Sequence, residues 1–181
     1  MKCIVRRSCQ DDLENIYELH KKCFVQSDHW YKTHISHFLD SGIVIEINDS
    51  IIGVILQGAI TPCNSKLADT LQYQGYQEDK FEPINSIGEI YLDEKLCYKE
   101  LFGIVMICID PKYRGKKLAQ KLITKHFQDN SNKTVCLNTR RSNINAYSLY
   151  KKMGYEQIAF IKNKYFQPTE DSIFMVKDLK K

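Results

Sequence analysis

"LFGIVMICIDPKYRGKKLAQKL", residues 101–122, joins an unbroken apolar run to a short basic turn and then to apolar residues at helical spacing. A run of this length without polar alternation is the pattern of a buried strand, and Pro111, which has no N–H for a ladder, ends it near Asp110. Leu118, Ala119, Leu122, Ile123, His126 and Phe127 then share one face of a helix that is expected to begin near Lys116. A strand, a tight turn and a helix in this order leave backbone N–H groups unpaired at the positive end of the helix dipole, which suits a pyrophosphate. Arg114 and Lys116 add charge-assisted contacts. Lys117 stands where a glycine would permit closer backbone approach, but lysine accepts helical angles and reaches a phosphate with its own side chain.

Upstream, "CIVRR" (3–7) reads as a first strand. Ser8 and Asp11 have the spacing of a capping box for a helix carrying Leu13, Ile16, Tyr17, His20 and Phe24 on one face. "WYKTHISHFL" (30–39) predicts a second, short helix, and residues 42–60 predict a hairpin turning at Asn48, Asp49 and Ser50. Downstream, "KTVCLNT" predicts a strand, Ala146, Leu149, Tyr150 and Met153 form the stripe of a further helix closed by Gly154, and "YEQIAFIK" and "SIFMVKDL" finish as two strands. Strands interspersed with helices predict a mixed α/β sheet. The chain has 181 residues, 43% of them hydrophobic, and neither a repeat nor a linker, so one domain over 1–181 is expected.

Charge is unevenly distributed along the chain. Residues 112–152 hold eleven basic side chains against Asp129, whereas residues 61–100 hold eight acids against four lysines. The first segment favours an anion, and its coincidence with the strand, turn and helix points to a small polyphosphate rather than to nucleic acid. The second segment, rich in Gln and Tyr and weakly periodic except near "GEIYL", reads as an insertion before the fourth strand. No apolar run is long enough to span a membrane, and the early charges argue against a signal peptide, so a cytoplasmic protein is expected. Seven scattered cysteines show neither a CxxC pair nor a framework spacing, and are read as reduced structural thiols. His29, His34 and His37 lack a partnering ligand at metal-site spacing, and no metal is expected.

The basic turn and "SNINAYSLYKKMGY" (142–155) together resemble the two central motifs of the GCN5-related N-acetyltransferase (GNAT) superfamily. Arg114 and Ala119 match the ends of its pyrophosphate loop, (Arg/Gln)-x-x-Gly-x-(Gly/Ala), with Lys117 in place of the central glycine. Asn143, Ala146, Leu149, Tyr150, Gly154 and Tyr155 match its second motif throughout. The resemblance covers nearly the whole chain and implies a GNAT fold, with about seven strands in a mixed central sheet and about four helices. It implies acetyl-CoA as the donor, without a metal. Backbone groups at Ile107, Cys108 and Ile109 would hold the pantetheine arm, and Arg114, Gly115, Lys116, Lys117, Leu118 and Ala119 the pyrophosphate. Asn143 and Ala146 would meet the arm at the following helix, although Asn143 also suits that helix's N-cap. Tyr150 would protonate the departing thiolate, since a phenol of pKa ~10 keeps its proton at neutral pH.

"RGKKLAQKLI", "VCLNTRRSNINAYSLY" and "NKYFQPTEDSIFMVKDL" are similar to protein N-terminal acetyltransferase catalytic subunits. That family's final hairpin has a Tyr-Tyr pair and then Glu-Asp, here Tyr165-Phe166 and Glu170-Asp171, and its substrate loop resembles "CFVQSDHWYK" without the usual proline after Phe24. The resemblance implies that Phe24, Trp30, Tyr31, Tyr165 and Phe166 grip an acceptor peptide, although each aromatic also suits packing. The positions of the tyrosine and histidine that activate the amine in several members read Gly103 and Asn138. Asn138 holds a water but does not take its proton. Glu89 and Glu100 are alternative bases. An α-amine of pKa ~7.8 is roughly 30% neutral at pH 7.4, against about 0.1% for a lysine amine, so an enzyme without a strong base is expected to favour N-termini.

Two other readings stay open. The acidic insertion would attract a cationic acceptor, which suits a small-amine acetyltransferase acting on a polyamine-like substrate. Gly103, Lys117 and Asn138 together suit a degenerate acetyl-CoA-binding subunit, and the N-terminal reading leaves room for an auxiliary subunit.

Overall fold

The computed structural model describes residues 3–24, 30–60, 101–165 and 168–180. Seven strands and four α-helices alternate along these residues, the mixed α/β class expected from the sequence. The acidic stretch 61–100, with its expected strand and with Glu89 and Glu100, lies outside the described residues, as does Phe166. The chain divides into two compact units, residues 1–58 with 104–131 and residues 59–103 with 132–181.

The first unit takes the strand order β1 (Cys3–Arg7), β2 (Ile43–Ile47), β3 (Ser50–Ile60), β4 (Leu101–Ile109), with β3 inside it as far as Gly58 and β4 entering it from Ile104 onward. β1, β2 and β3 pair antiparallel. The β2–β3 turn is shorter than expected: Asn48 and Asp49 alone make it, at φ 49° and 59°, and Ser50 already pairs with Ile47. Positive φ at both central residues matches the twist of the flanking strands, and Asn and Asp tolerate it best after glycine. Helices α1 (Leu13–Cys23) and α2 (Lys32–Ser36) bury Ile16, Leu19 and Ile35 against Val44, Val54, Leu56, Met106 and Cys108.

The start of α1 corrects the expected capping box by one position. The Cys9 N–H donates to Asp12 Oδ2 at 2.9 Å and the Asp12 N–H to the Cys9 carbonyl at 3.0 Å. Ser8 is buried and instead donates through its hydroxyl to the Leu39 carbonyl at 2.5 Å, while its N–H reaches the Gly42 carbonyl at 3.0 Å. A long-range partner has taken the side chain that the local pattern assigned to the cap.

Asp12 also accepts from Arg6 Nη1 and Nη2 at 2.7 and 2.8 Å, and Arg6 pairs with Glu46. Hydrogen bonding from Arg6 holds the Asp12 carboxyl below its usual range despite burial. The unfolded chain therefore binds more protons in acid, and the stability from this pair is present above about pH 4 and is lost as pH falls further. We expect the urea midpoint to fall between pH 6 and pH 3, and Asp12→Asn to flatten that fall while lowering stability at pH 6 by about 1–2 kcal/mol. An unchanged slope in the variant would assign the acid sensitivity elsewhere.

In the second unit β5 (Thr134–Arg140), β7 (Glu170–Asp178) and β6 (Glu156–Tyr165) lie in that order and pair antiparallel. Leu101, Cys136, Ile161, Phe174 and Val176 form one core cluster. Helix α4 (Ile144–Lys152) closes as the sequence predicts. Gly154 at φ 84° donates its N–H to the Lys151 carbonyl, and the Tyr155 N–H reaches the Tyr150 carbonyl, both at 3.0 Å. These are the two bonds of a Schellman motif, and the left-handed position is what requires glycine.

Among the described residues no helix is long and apolar enough to cross a membrane, and no group of three His, Cys, Asp or Glu could hold a metal ion.

Candidate active site

In the first unit the basic turn between β4 and helix α3 (Leu118–Asp129) is built as two short bends. β4 stops at Ile109, one residue before the expected end, and Asp110 caps a 3-10 turn over Pro111–Tyr113 by accepting the Lys112 N–H at 2.9 Å. Gly115 then takes φ 77°, with nothing within 4 Å of a Cβ built upon it. The helix begins two residues later than expected because Lys117 is its N-cap, at φ 58° and ψ 19°. The expectation that lysine would sit here with helical angles is thus corrected: the backbone adopts the left-handed conformation that glycine would adopt freely. The first helical bond runs from the Lys121 N–H to the Lys117 carbonyl at 3.2 Å, so the amides of Leu118, Ala119 and Gln120 precede the helical ladder. Leu118 buries its side chain, and only its backbone is in question as a ligand group.

Left-handed lysine makes a test of this loop. Lys117→Gly is expected to raise stability by about 1 kcal/mol, seen as a melting temperature higher by roughly 2–4 °C. A lower melting temperature would show that the lysine side chain stabilises the turn by more than its backbone strain costs.

Arg114, the first loop position, donates through Nε to the Ile109 carbonyl at 3.2 Å. The same carbonyl accepts the Cys23 thiol at 3.3 Å. Cys23 in turn is hydrogen-bonded by the Cys108 thiol and flanked by Arg114, and these partners draw the Cys23 thiol below the usual range. Cys108, donating to Cys23 and fully buried, is pushed well above it. Sequence reading missed this arrangement, since 85 residues separate the two cysteines and no spacing rule joins them.

Of the expected acceptor aromatics in this unit, Phe24 and Trp30 are gathered by His20. The Trp30 N–H donates to His20 Nε2 at 2.7 Å, the Phe24 N–H to the His20 carbonyl at 3.1 Å, and the Phe24 ring stacks tilted on the imidazole at 4.6 Å. Both rings pack against the α1–α2 core. Tyr31 stays 64% exposed and stacks on His34, whose Nδ1 accepts the Tyr31 N–H at 3.1 Å. His34 therefore serves the N-terminus of α2.

In the second unit Asn143 is the N-cap of α4, its Oδ1 accepting the Ala146 N–H at 3.2 Å. Its structural alternative is thus realised, and the amide nitrogen is left to meet a ligand. Tyr150 is buried at 5% exposure, edge-on to Tyr155 with ring centroids 6.0 Å apart. Burial, and secondarily Tyr165, push its phenol up, so it is neutral across the physiological range.

Asn138 accepts the Ser172 hydroxyl on Oδ1 at 3.1 Å. An amide takes up no proton at neutral pH, so Asn138 can bind a water but is not a base. Next along the strands, the Arg140 guanidinium lies 4.3 Å from the Tyr165 ring centroid. Glu170 binds Arg140, the Ser142 hydroxyl and the Ser142 N–H. Burial raises the Glu170 carboxyl, and these hydrogen bonds outweigh it, so the group is held down and ionised. Asp171 Oδ1 accepts the Asn163 N–H at 3.1 Å across the β6 irregularity, where Asn163 stands at φ 52°. The Glu-Asp pair of the final hairpin is therefore a clamp. It fastens Tyr165 and the turn ahead of Asn143 to one strand end.

Comparison with known proteins bears on the fold. Residues 76–157 match the acetyltransferase (GNAT) domain family. No curated protein sequence matches the chain. Among solved structures, the ribosomal-protein-S18-alanine N-acetyltransferase of Escherichia coli is 15% identical with TM-score 0.70, covering 99% of this chain and 96% of that one. Arabidopsis thaliana NAA60 in complex with acetyl-CoA is 17% identical with TM-score 0.72, over 98% and 99%. The loading GNATL domain of CurA from Lyngbya majuscula is 13% identical with TM-score 0.73, over 99% and 98%. Residues 76–157 thus match a GNAT acetyltransferase domain, and these solved structures share the chain's fold over nearly its whole length.

Proposed function

We propose that the chain transfers the acetyl group of acetyl-CoA to the α-amine of a protein or peptide N-terminus, by direct attack in a ternary complex. In this reading the backbone of Ile107, Cys108 and Ile109 aligns the pantetheine arm, the turn from Arg114 to Ala119 takes the pyrophosphate, and Asn143 and Ala146 meet the arm. The amine nitrogen attacks the thioester carbonyl, the C–S bond breaks, and Tyr150 gives its proton to the sulfur. The amine proton leaves to a water held by Asn138. Phe24, Trp30, Tyr31, Tyr165 and Phe166 are the proposed peptide contacts.

The observation that carries the α-amine choice is the Ser172 to Asn138 hydrogen bond. It holds in place an amide that takes up no proton at neutral pH, and an acceptor that arrives largely neutral, as an N-terminal amine does, suits such a site. The clamp of Glu170 and Asp171 under Tyr165 supports the same reading, because it gives the acceptor hairpin a fixed position. The second reading, a small-amine acceptor, is favoured by the acidic composition of residues 61–100.

One incubation separates them. The protein is mixed with acetyl-CoA, an equimolar pool of peptides with free N-termini, and spermidine, and the products are read by fragmentation mass spectrometry. Acetyl on α-amines supports the proposal. Acetyl on spermidine alone overturns it in favour of the small-amine reading, and absence of transfer despite stabilisation by acetyl-CoA overturns it in favour of a binding subunit or an enzyme lacking its partner.

A further inference from the structure

The thiols at the end of α1 and on β4 have no part in the acetyl-transfer chemistry, yet they are in contact, and one is reachable. Cys23 is half-buried at the last position of α1 and packs on the cluster that contains Cys108. Its sulfur donates to the Ile109 carbonyl at 3.3 Å and meets the Cys108 thiol, and Arg114 lies against it while binding the same carbonyl. A cation beside a half-exposed thiol that touches a second thiol is the setting of an attacking cysteine and its resolving partner. The remaining described cysteines differ: Cys3 and Cys9 are exposed, and Cys136 lies buried in the other unit's core.

We propose that Cys23 and Cys108 are an oxidisable dithiol, a modification site at which hydrogen peroxide joins the end of α1 to β4 through a disulfide. The Cys23 sulfur attacks one peroxide oxygen, the O–O bond breaks, and a sulfenic acid and a water result. The Cys108 sulfur then attacks the sulfenic sulfur, the S–O bond breaks, and a second water leaves. Two thiols and one peroxide become one disulfide and two waters, with both electrons passing to the peroxide oxygens. A thiol such as glutathione reverses the step by exchange. Oxidation removes the Cys23 thiol from the Ile109 carbonyl and from Arg114. The consequence for acetyl-CoA binding rests on the donor site proposed above, whereas the disulfide itself does not.

The test treats the full chain with hydrogen peroxide, blocks remaining thiols by alkylation, and digests with trypsin without reductant. Cys23 and Cys108 fall in separate tryptic peptides, residues 23–32 and 100–112. The expected result is those two peptides joined, released again by dithiothreitol, with both thiols lost to alkylation. Cys23→Ser, treated alike, is expected to lack the link and to keep the thermal stabilisation by acetyl-CoA that the oxidised native chain loses. Full alkylation of both cysteines after peroxide, or pairing of Cys23 with any other cysteine, overturns the proposal. A link that forms in a chain never stabilised by acetyl-CoA supports the dithiol and overturns the donor-site reading instead.

Discussion

Tyr150→Phe is expected to lower kcat by about 100-fold, the low end of the range for loss of a general acid, with little change in the KM for acetyl-CoA. The low end follows from the leaving group. A thiolate whose parent thiol has a pKa of ~8.5 departs more readily than an alkoxide, so the protein supplies less of the barrier. The phenol's own position needs a second step of argument. Burial holds the Tyr150 proton more tightly than in water, which would make it a poor donor to a solvated thiolate. A thiolate formed in equally dry surroundings would be lifted by the same desolvation, which offsets that penalty. Phenylalanine keeps the edge-on packing against Tyr155, so the loss is not a loss of fold. Single-turnover acetyl transfer with and without the hydroxyl, alongside circular dichroism, checks this. Equal rates would remove Tyr150 from the chemistry. A corollary concerns pH: because the phenol is raised, Tyr150 causes no fall in rate on the alkaline side below about pH 10.

Acceptor choice should depend steeply on pH. From neutral fractions alone, a peptide α-amine is expected to outrun a lysine ε-amine on the order of 300-fold at pH 7.4, shrinking to about threefold by pH 10. The sign is fixed by which amine still carries its extra proton. Near neutrality the lysine amine is almost wholly charged, and Asn138, with Oδ1 held by Ser172, offers no site to receive that proton. As pH rises solvent takes the proton, and a base on the protein ceases to matter. Asn138→His should therefore raise lysine acetylation more than N-terminal acetylation and move the onset of activity to lower pH. Competition between two peptides, one with a blocked N-terminus and a free lysine and one with the reverse, measures the ratio directly. A ratio independent of pH, or unmoved by Asn138→His, would mean that another residue accepts the proton.

Both expectations depend on side chains whose type was legible and whose partners were not. The order of strands and helices, the turn at Asn48 and Asp49, the stripe of α3 and the glycine cap of α4 follow from periodicity and from single-residue backbone preferences. Such rules act within a few residues, which is why they survive without tertiary context. The cap of α1 failed for the complementary reason. Ser8 had a local role available, but a carbonyl 31 residues away took its hydroxyl.

Lys117 fell between these cases. The motif marked the position as one that wants glycine, and the expectation that lysine would take helical angles there was wrong, since the turn entering α3 holds Lys117 at φ 58°.

By itself the sequence determined the α/β class and the acetyltransferase resemblance and marked Tyr150, Asn143 and the basic turn as candidates, because these reside in short-range pattern and fixed spacing. Only the tertiary structure decided that Ser172 holds Asn138, that Glu170 and Asp171 are a clamp, and that Cys23 meets Cys108. Each depends on which side chains from distant segments share one strand face or one helix end, and that is set by packing rather than by neighbours along the chain.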